Sequence, residues 1–128
     1  MEAIDLLILI LIFQVKHFVA DFLLQGKYML GKFKVKGWEL PLAAHSLVHM
    51  VMTFTIILHY LPIKYALGLA IIDMGIHFLV DRAKVVLSRD YDKDVDKEFW
   101  WWLGADQMAH HVTHYAIAFS VITIASTI

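Results

Sequence analysis

The sequence predicts an all-α fold: a four-helix transmembrane bundle with both termini on the outer side of the membrane. Hydrophobic residues make up 60% of the 128 residues and charged residues only 18%, against averages of about 45–50% and about 25% in soluble domains. Most charged residues lie in two stretches, 26–39 and 81–98, which leaves four long apolar runs. Such separation of charge from apolar runs is typical of an integral membrane protein.

The four apolar runs are expected to form one integral membrane domain over residues 1–128. The first run starts acidic and lacks a small-residue cleavage site, so it is expected to be a retained span rather than a signal peptide. The second begins at Pro41, a residue suited to a first helical turn, and ends before Pro62, which disfavours helix in the preceding residue. The fourth opens with Trp100–Trp102, typical of an interfacial aromatic belt. The predicted helices cover about 3–24, 41–60, 63–87 and 99–126.

The lysines and arginines of the connecting loops predict the orientation. The first loop carries four of them, the second only Lys64, and the third five. Because cytoplasmic loops are enriched in these residues, the first and third loops are expected in the cytoplasm and both termini outside. The mostly acidic stretch 90–98 is expected to be a solvated connector. The net charge of −1 does not provide the basic surface that nucleic-acid binding requires, so no nucleic-acid partner is expected.

Each apolar run carries histidine or aspartate residues four positions apart. That spacing places both side chains on one face of a helix. Counted from the cytoplasmic end of each helix, at about 1.5 Å per residue, the pairs share one layer roughly 3–15 Å below the membrane interface. Buried imidazoles and carboxylates are costly unless they bind one another or a cation. The pairs are His17 and Asp21, His45 and His49, His77 and Asp81, and Asp106 and His110.

We interpret these eight residues as ligands of a divalent metal, because helical bundles build metal sites from ligand pairs on facing helices. The set exceeds what one tetrahedral ion needs and suits two ions. Asp81 or Asp106 would then bridge the ions and serve as the catalytic carboxylate, a general base toward water. The chain has no cysteine, which excludes thiolate and iron–sulfur sites. Nitrogen and oxygen ligands favour zinc, with manganese or iron as alternatives.

Four further polar residues are expected to support these ligands. Gln25 and Gln107 are expected to orient them through hydrogen bonds. Asp73 and His114 lie deeper along their helices and are expected to pair behind the ligands.

Lys16 and Arg82 are candidate substrate-binding residues that would hold an anionic head group. Snorkelling of these side chains toward the interface is the alternative. His59, at the outer interface, and His111, which points about 100° away from the ligand face, are expected to be structural.

Two other interpretations of the polar set are open at this point. A histidine–aspartate network without metal would be structural or would conduct protons. Histidine pairs on facing helices would also fit a bis-histidine haem, although carboxylates are unfavourable beside a buried porphyrin.

Four motifs follow one another along the chain: HxxxDFxxQ from His17, HxxxH from His45, HFxxD from His77 and DQxxH from Asp106. With them, nearly the whole sequence resembles a domain-of-unknown-function family of small bacterial and phage membrane proteins. The resemblance implies a four-helix protein of the bacterial inner (plasma) membrane and implies no activity. The chain is also loosely similar to membrane-bound metal-dependent hydrolases, a similarity that concerns only the placing of histidine and aspartate on membrane helices.

The sequence thus predicts a membrane-embedded, metal-dependent hydrolase, mononuclear or dinuclear, that acts on a lipid or amphiphilic substrate at the cytoplasmic leaflet. Its partners would be the lipid bilayer and that substrate, and a homo-oligomer is open. The alternative is a non-enzymatic metal-binding or metal- or proton-translocating protein. The nearly bare runs 6–13 and 116–124 count against a path through one protomer. A third hypothesis is a structural membrane partner without stoichiometric metal.

Overall fold

The chain is all-α. The structure, a computed structural model, describes residues 3–128, so Met1 and Glu2 of the predicted N-terminal span lie outside the described residues. Within that part there are four α-helices and no strands, which confirms that the fold is all-α. The helices are α1 (Ala3–Phe18), α2 (Glu39–Ile57), α3 (Ile63–Ser88) and α4 (Lys97–Thr127).

The first span departs from a regular α-helix at its end. Residues Val19–Leu23 form a π-helical turn, in which the backbone N–H of Leu24 donates to the carbonyl of Val19 at 2.9 Å. A π turn holds one residue more than the hydrogen-bonding pattern of an α-helix and is frequent at functional sites. The sequence predicts a continuous helix here. The extra residue changes the direction in which Asp21, in the middle of the turn, points.

The loop after this turn contains a 3-10 segment, Met29–Phe33, that packs against α2. A Cβ atom on Gly31 would lie 2.8 Å from Cγ of Pro41, closer than real Cβ atoms come. Glycine is therefore what allows this segment to lie directly on the first turn of α2. The contact also fixes Lys32, the next residue, whose side chain is buried.

Each helix contacts two neighbours: α1 and α3 both pack against α2 and α4. One end of the interior is apolar and will be called the apolar half. The apolar half consists of Leu9, Phe13, Ile57, Leu61, Ala66, Ile117, Ala118 and Val121.

The other end of the interior is polar and will be called the polar half. Its inward positions recur every three or four residues, so each helical turn adds one layer. The polar half consists of Lys16, His17, Asp21, His45, His49, Thr53, Asp73, His77, Asp81, Asp106, His110 and His114.

Outward faces of the helices carry large apolar side chains, the reverse of a soluble protein. Leu11 is 57% exposed, Leu79 69% and Phe119 64%. Three helical spans, Ala3–Leu23, Glu39–Ile57 and Ile63–Ser88, are long and apolar enough to cross a membrane. The 31 residues of α4 give it sufficient length. Its tryptophan, histidine and glutamine residues make it more polar, so the fourth span stays a prediction.

Candidate metal centre

All eight predicted ligands meet in the polar half, and His114 joins them. They form three groups whose candidate ligand atoms lie within 4.8 Å of one another. The groups are Asp21, His45, His49 and His77; Asp81, Asp106 and His110; and His17, His49 and His114.

The carboxylate of Asp21 is the centre of the first group. Its Oδ1 lies 2.7 Å from Nε2 of His49 and 3.1 Å from Nε2 of His45. Its Oδ2 lies 3.2 Å from Nε2 of His17, four residues earlier. The π turn therefore delivers one carboxylate to imidazoles from two helices, α1 and α2.

His77 lies in a stack of three imidazoles. Its ring centre is 3.7 Å from that of His49 and 4.3 Å from that of His110, each with an interplanar angle of 25°. Within residues 3–128, neither ring nitrogen of His77 has a hydrogen-bond partner, and the residue is only 2% exposed. A buried polar atom without a partner costs about 1–3 kcal/mol. An imidazole nitrogen is a good ligand for zinc, so a cation at this position would remove that cost.

The second group joins α3 to α4. Oδ1 of Asp106 lies 3.1 Å from Nε2 of His110. Oδ2 of Asp81 lies 3.8 Å from Nε2 of both His45 and His77, two members of the first group. Asp81, a member of the second group, thus also lies beside the first group. The donor set of the two groups is imidazole and carboxylate only, which fits zinc, manganese or iron.

Gln107 connects the second group to α1. Its Nε2 donates to Oδ2 of Asp106 at 3.0 Å, and its Oε1 therefore accepts from Nε2 of His17 at 2.9 Å. This is the orienting position expected for Gln107. Gln25 differs, since its Nε2 donates to the backbone carbonyl of Asp21 at 3.2 Å and so braces the π turn.

A buried ion pair lies one turn deeper. Nζ of Lys16 is 2.9 Å from Oδ2 of Asp73, and the hydroxyl of Thr53 donates to the same oxygen at 2.5 Å. His114 lies beside the pair, with Nε2 3.7 Å from Oδ1 of Asp73 and 3.3 Å from Nζ of Lys16. Asp73 and His114 therefore adjoin, as expected, with an ammonium between them.

Lys16 is placed differently from the expectation of a head-group ligand. Lys16 is only 2% exposed. Its ammonium pairs with the buried carboxylate of Asp73 instead of reaching toward the membrane interface. The same ammonium disfavours a cation at the third group, since His114 is one of that group's members. The first two groups are therefore the better candidates for metal.

The guanidinium of Arg82, the other predicted head-group ligand, stacks on Trp38 with Cζ 3.6 Å from the ring centre. It does not join the three groups. His59 is exposed, with Nδ1 2.9 Å from the carbonyl of Thr55. His111 packs on Tyr115 at 6.4 Å between ring centres, although its ring also lies 5.0 Å from that of His17.

Sequence reasoning missed Lys32. Its Nζ lies 2.6 Å from Oδ2 of Asp81, and it is 5% exposed. The residue sits among three other lysines of the first loop, and nothing in that stretch marks it as the one that turns inward. The close contact between Gly31 and Pro41 decides its position.

The protein is thus all-α, with three helices of membrane-spanning length and a buried cluster of imidazoles and carboxylates. The chain belongs to the family described as protein of unknown function (DUF3307), whose sequence profile matches residues 6–128. The match confirms the resemblance to a domain-of-unknown-function family, and the likeness to hydrolases stays a prediction. No curated protein and no solved structure is significantly similar to the chain.

Proposed function

We propose that this protein is a metal-dependent hydrolase of the membrane that acts on a lipid or amphiphilic substrate at the cytoplasmic leaflet. The observation that carries the proposal is His77. It is a buried imidazole with both nitrogens unpartnered in the described chain, held between His49 and His110. Such an arrangement is unfavourable for packing alone and favourable for coordination.

Two divalent ions, zinc in the first instance, fit the donor set of the first two groups. Asp21, His45, His49 and His77 would hold one ion, and Asp81, Asp106 and His110 the other. Paired ions of this kind activate water and stabilise the charge that develops on a phosphoester, ester or amide. Gln107 would fix the orientation of His17 and Asp106. Asp81 or Asp106 would accept the proton from water.

The proposed topology is a four-helix transmembrane bundle in a bacterial inner membrane with both termini outside. Apolar outward faces support burial in lipid. The loops and adjoining helix ends at the polar end carry nine lysines and arginines against Lys64 alone at the apolar end, which supports a cytoplasmic site. A substrate could then enter from the inner leaflet, and a second copy of the chain remains a candidate partner.

Elemental analysis of protein purified in detergent tests the metal. Wild type is expected to hold two ions per chain, and His110→Ala fewer, because the second group loses its imidazole. His59→Ala is the matched control: it removes an exposed histidine outside the groups and is expected to keep the wild-type content. Equal metal content in all three proteins, or no metal in any, would refute the metal site.

Turnover is tested separately with metal-replete protein and phosphoester, ester and amide lipids in mixed micelles. Release of product is expected from wild type and not from Asp81→Asn, which keeps the side-chain size and removes the carboxylate. Bound metal without turnover of any of the three lipid classes would end the enzyme proposal. It would leave the non-enzymatic alternative, a metal-binding or metal- or proton-translocating protein. The apolar half supports a closed site rather than a path across the protein.

A further inference from the structure

A small cleft reaches the candidate metal centre from the loop end. Its volume is about 110 Å³. The cleft touches both groups proposed to hold metal, since it reaches a carboxylate of each. Its walls include the three acids Asp21, Asp81 and Asp106, the two lysines Lys32 and Lys84, and Phe33.

The two lysines come from different elements and meet around one aromatic ring. Nζ of Lys32 lies 5.3 Å from the centre of the Phe33 ring, and Nζ of Lys84 lies 4.9 Å from it. Lys32 is engaged with Asp81 at 2.6 Å. The half-buried Lys84 has no carboxylate partner within the described chain. The ammonium of Lys84 is therefore free to bind a ligand. The ammonium of Lys32 is held by Asp81, a residue that a metal would also use.

The charge of the cleft depends on metal. Three carboxylates against two ammonium groups leave one negative charge in excess, which repels an anion. Divalent cations at the two groups would reverse that excess. A cation on Asp81 would also compete with Lys32 for the carboxylate oxygens and release its ammonium toward the cleft.

We propose that the metal-loaded cleft binds a phosphate-type oxyanion through Lys32 and Lys84. The inference rests on the proposed function and narrows its substrate to a phosphoester or its product. Lysine is an established phosphate ligand that acts as a point charge, and two of them beside two cations match a tetrahedral group with several charged oxygens. The cleft accommodates such a group but not a lipid chain.

An attached chain would extend past Phe22, which lines the same cleft and is 66% exposed. The same oxyanion could also arrive as free phosphate. Both sources share the recognition chemistry and differ only in whether the exposed apolar surface contributes to binding.

Calorimetric titration of detergent-purified protein tests the inference after its metal content has been measured. The probes are inorganic phosphate and, in a second arm, dihexanoyl phosphatidic acid. Phosphate is expected to bind zinc-loaded wild type and not chelator-treated wild type. Lys84→Met and Lys32→Met are each expected to weaken phosphate binding by about tenfold or more, the loss of one charge-assisted hydrogen bond. Lys36→Met, an exposed lysine of the same loop outside the cleft, is expected to bind as wild type.

Lys32→Met carries a second readout that a structural role would not produce. Its affinity for zinc is expected to rise, because no ammonium competes for Asp81. Lys32→Arg is expected to recover part of the phosphate affinity. Tighter binding of the short-chain lipid than of phosphate would identify a lipid head group, and equal binding would identify free phosphate.

Zinc-loaded wild type that binds neither probe would overturn the anion site while leaving the metal centre intact. So would lysine variants that bind phosphate as tightly as wild type. Wild type that takes up no zinc fails at the earlier step, which refutes the proposed function instead.

Discussion

The apolar half and the polar half are built from the same four helices but satisfy their side chains in different ways. In the apolar half, Leu9, Ile57 and Val121 are fully buried and need only packing. In the polar half, equally buried His45, His49 and His77 carry ring nitrogens that no group of residues 3–128 reaches by hydrogen bond. The apolar half is complete as a protein interior, whereas the polar half keeps buried nitrogen atoms without partners in the described chain, which is the reason for the metal proposal.

The boundary between the halves is the ion pair of Lys16 and Asp73. Phe13 lies on the apolar side and stacks on His114 at 5.4 Å between ring centres. Thr53 and His114 lie on the polar side and contact Asp73. The ammonium of Lys16 thus lies in the deepest polar layer, and a second buried ammonium, that of Lys32, meets Asp81 nearer the loops. Each of these two buried lysines is therefore matched by one carboxylate.

Lys16→Met tests that boundary and should have the largest effect. Breaking a buried pair by removing one partner costs about 3–5 kcal/mol of unfolding free energy, because the other charge stays buried. The double variant Lys16→Met/Asp73→Leu is expected to regain most of it. The free energy of unfolding in detergent is the measurement. The control is Lys64→Met, because Lys64 is an exposed lysine in the first turn of α3. A double variant no more stable than the single one would contradict the matching of Lys16 to Asp73.

Metal removal separates the halves directly. Ions that bind only the folded state stabilise it by about 2.7 kcal/mol at a free concentration about 100-fold above Kd. Chelation is expected to remove that stability and to raise amide exchange around 45–49, 77–81 and 106–110. Exchange near Ile57 and Val121 should change little. Equal increases in both halves, followed by mass spectrometry, would show that the distinction is wrong.

Gln107→Leu tests whether orientation within the polar half matters. Loss of its hydrogen bonds to His17 and Asp106 is expected to weaken metal affinity by about 10–100-fold, the usual cost of losing an orienting partner. Competition with a metal indicator measures it. Gln14→Leu, another half-buried glutamine of the interior, is the matched control and should keep the affinity. An unchanged metal affinity in Gln107→Leu would show that Gln107 contributes only packing and does not orient the candidate ligands.

Ile57→Val should have the smallest effect, and in the apolar half only. Removing one buried methylene costs about 0.5–1.5 kcal/mol of unfolding free energy. Metal content should stay at the wild-type value, because Ile57 belongs to the apolar half and to none of the three groups of candidate ligands. Loss of metal in this variant, measured by elemental analysis, would mean that the two halves are coupled.

The helices and the clustering of the histidine and aspartate pairs were predictable because both follow from spacing. Four apolar runs of membrane length predict four helices, and pairs such as His77 and Asp81 share a face whatever surrounds them. Alternating chain direction then brings the pairs to one end. These inferences need only the geometry of a helix.

The remaining features depend on contacts between elements. Lys16 lies about 100° from His17 around α1, yet both are buried because α1 packs against two helices and so has a wide buried face. Lys32 points inward because the neighbouring Gly31 packs directly against Pro41. Neither neighbour is visible from the local sequence, which predicts Lys16 as a head-group ligand or an interfacial side chain and Lys32 only as one of four loop lysines.

The π turn Val19–Leu23 adds one residue around Asp21, so the geometry of this segment depends on the number of its residues. Relative to a straight helix, one added residue rotates all that follows by roughly 100°. The direction of the Asp21 carboxylate, which contacts His45 and His49, therefore depends on the number of residues in the turn as much as on their identity. The position of the following segment, which carries Lys32, depends on that number in the same way. A homologue one residue shorter between positions 19 and 23 would keep every ligand in its alignment and still aim its first carboxylate elsewhere.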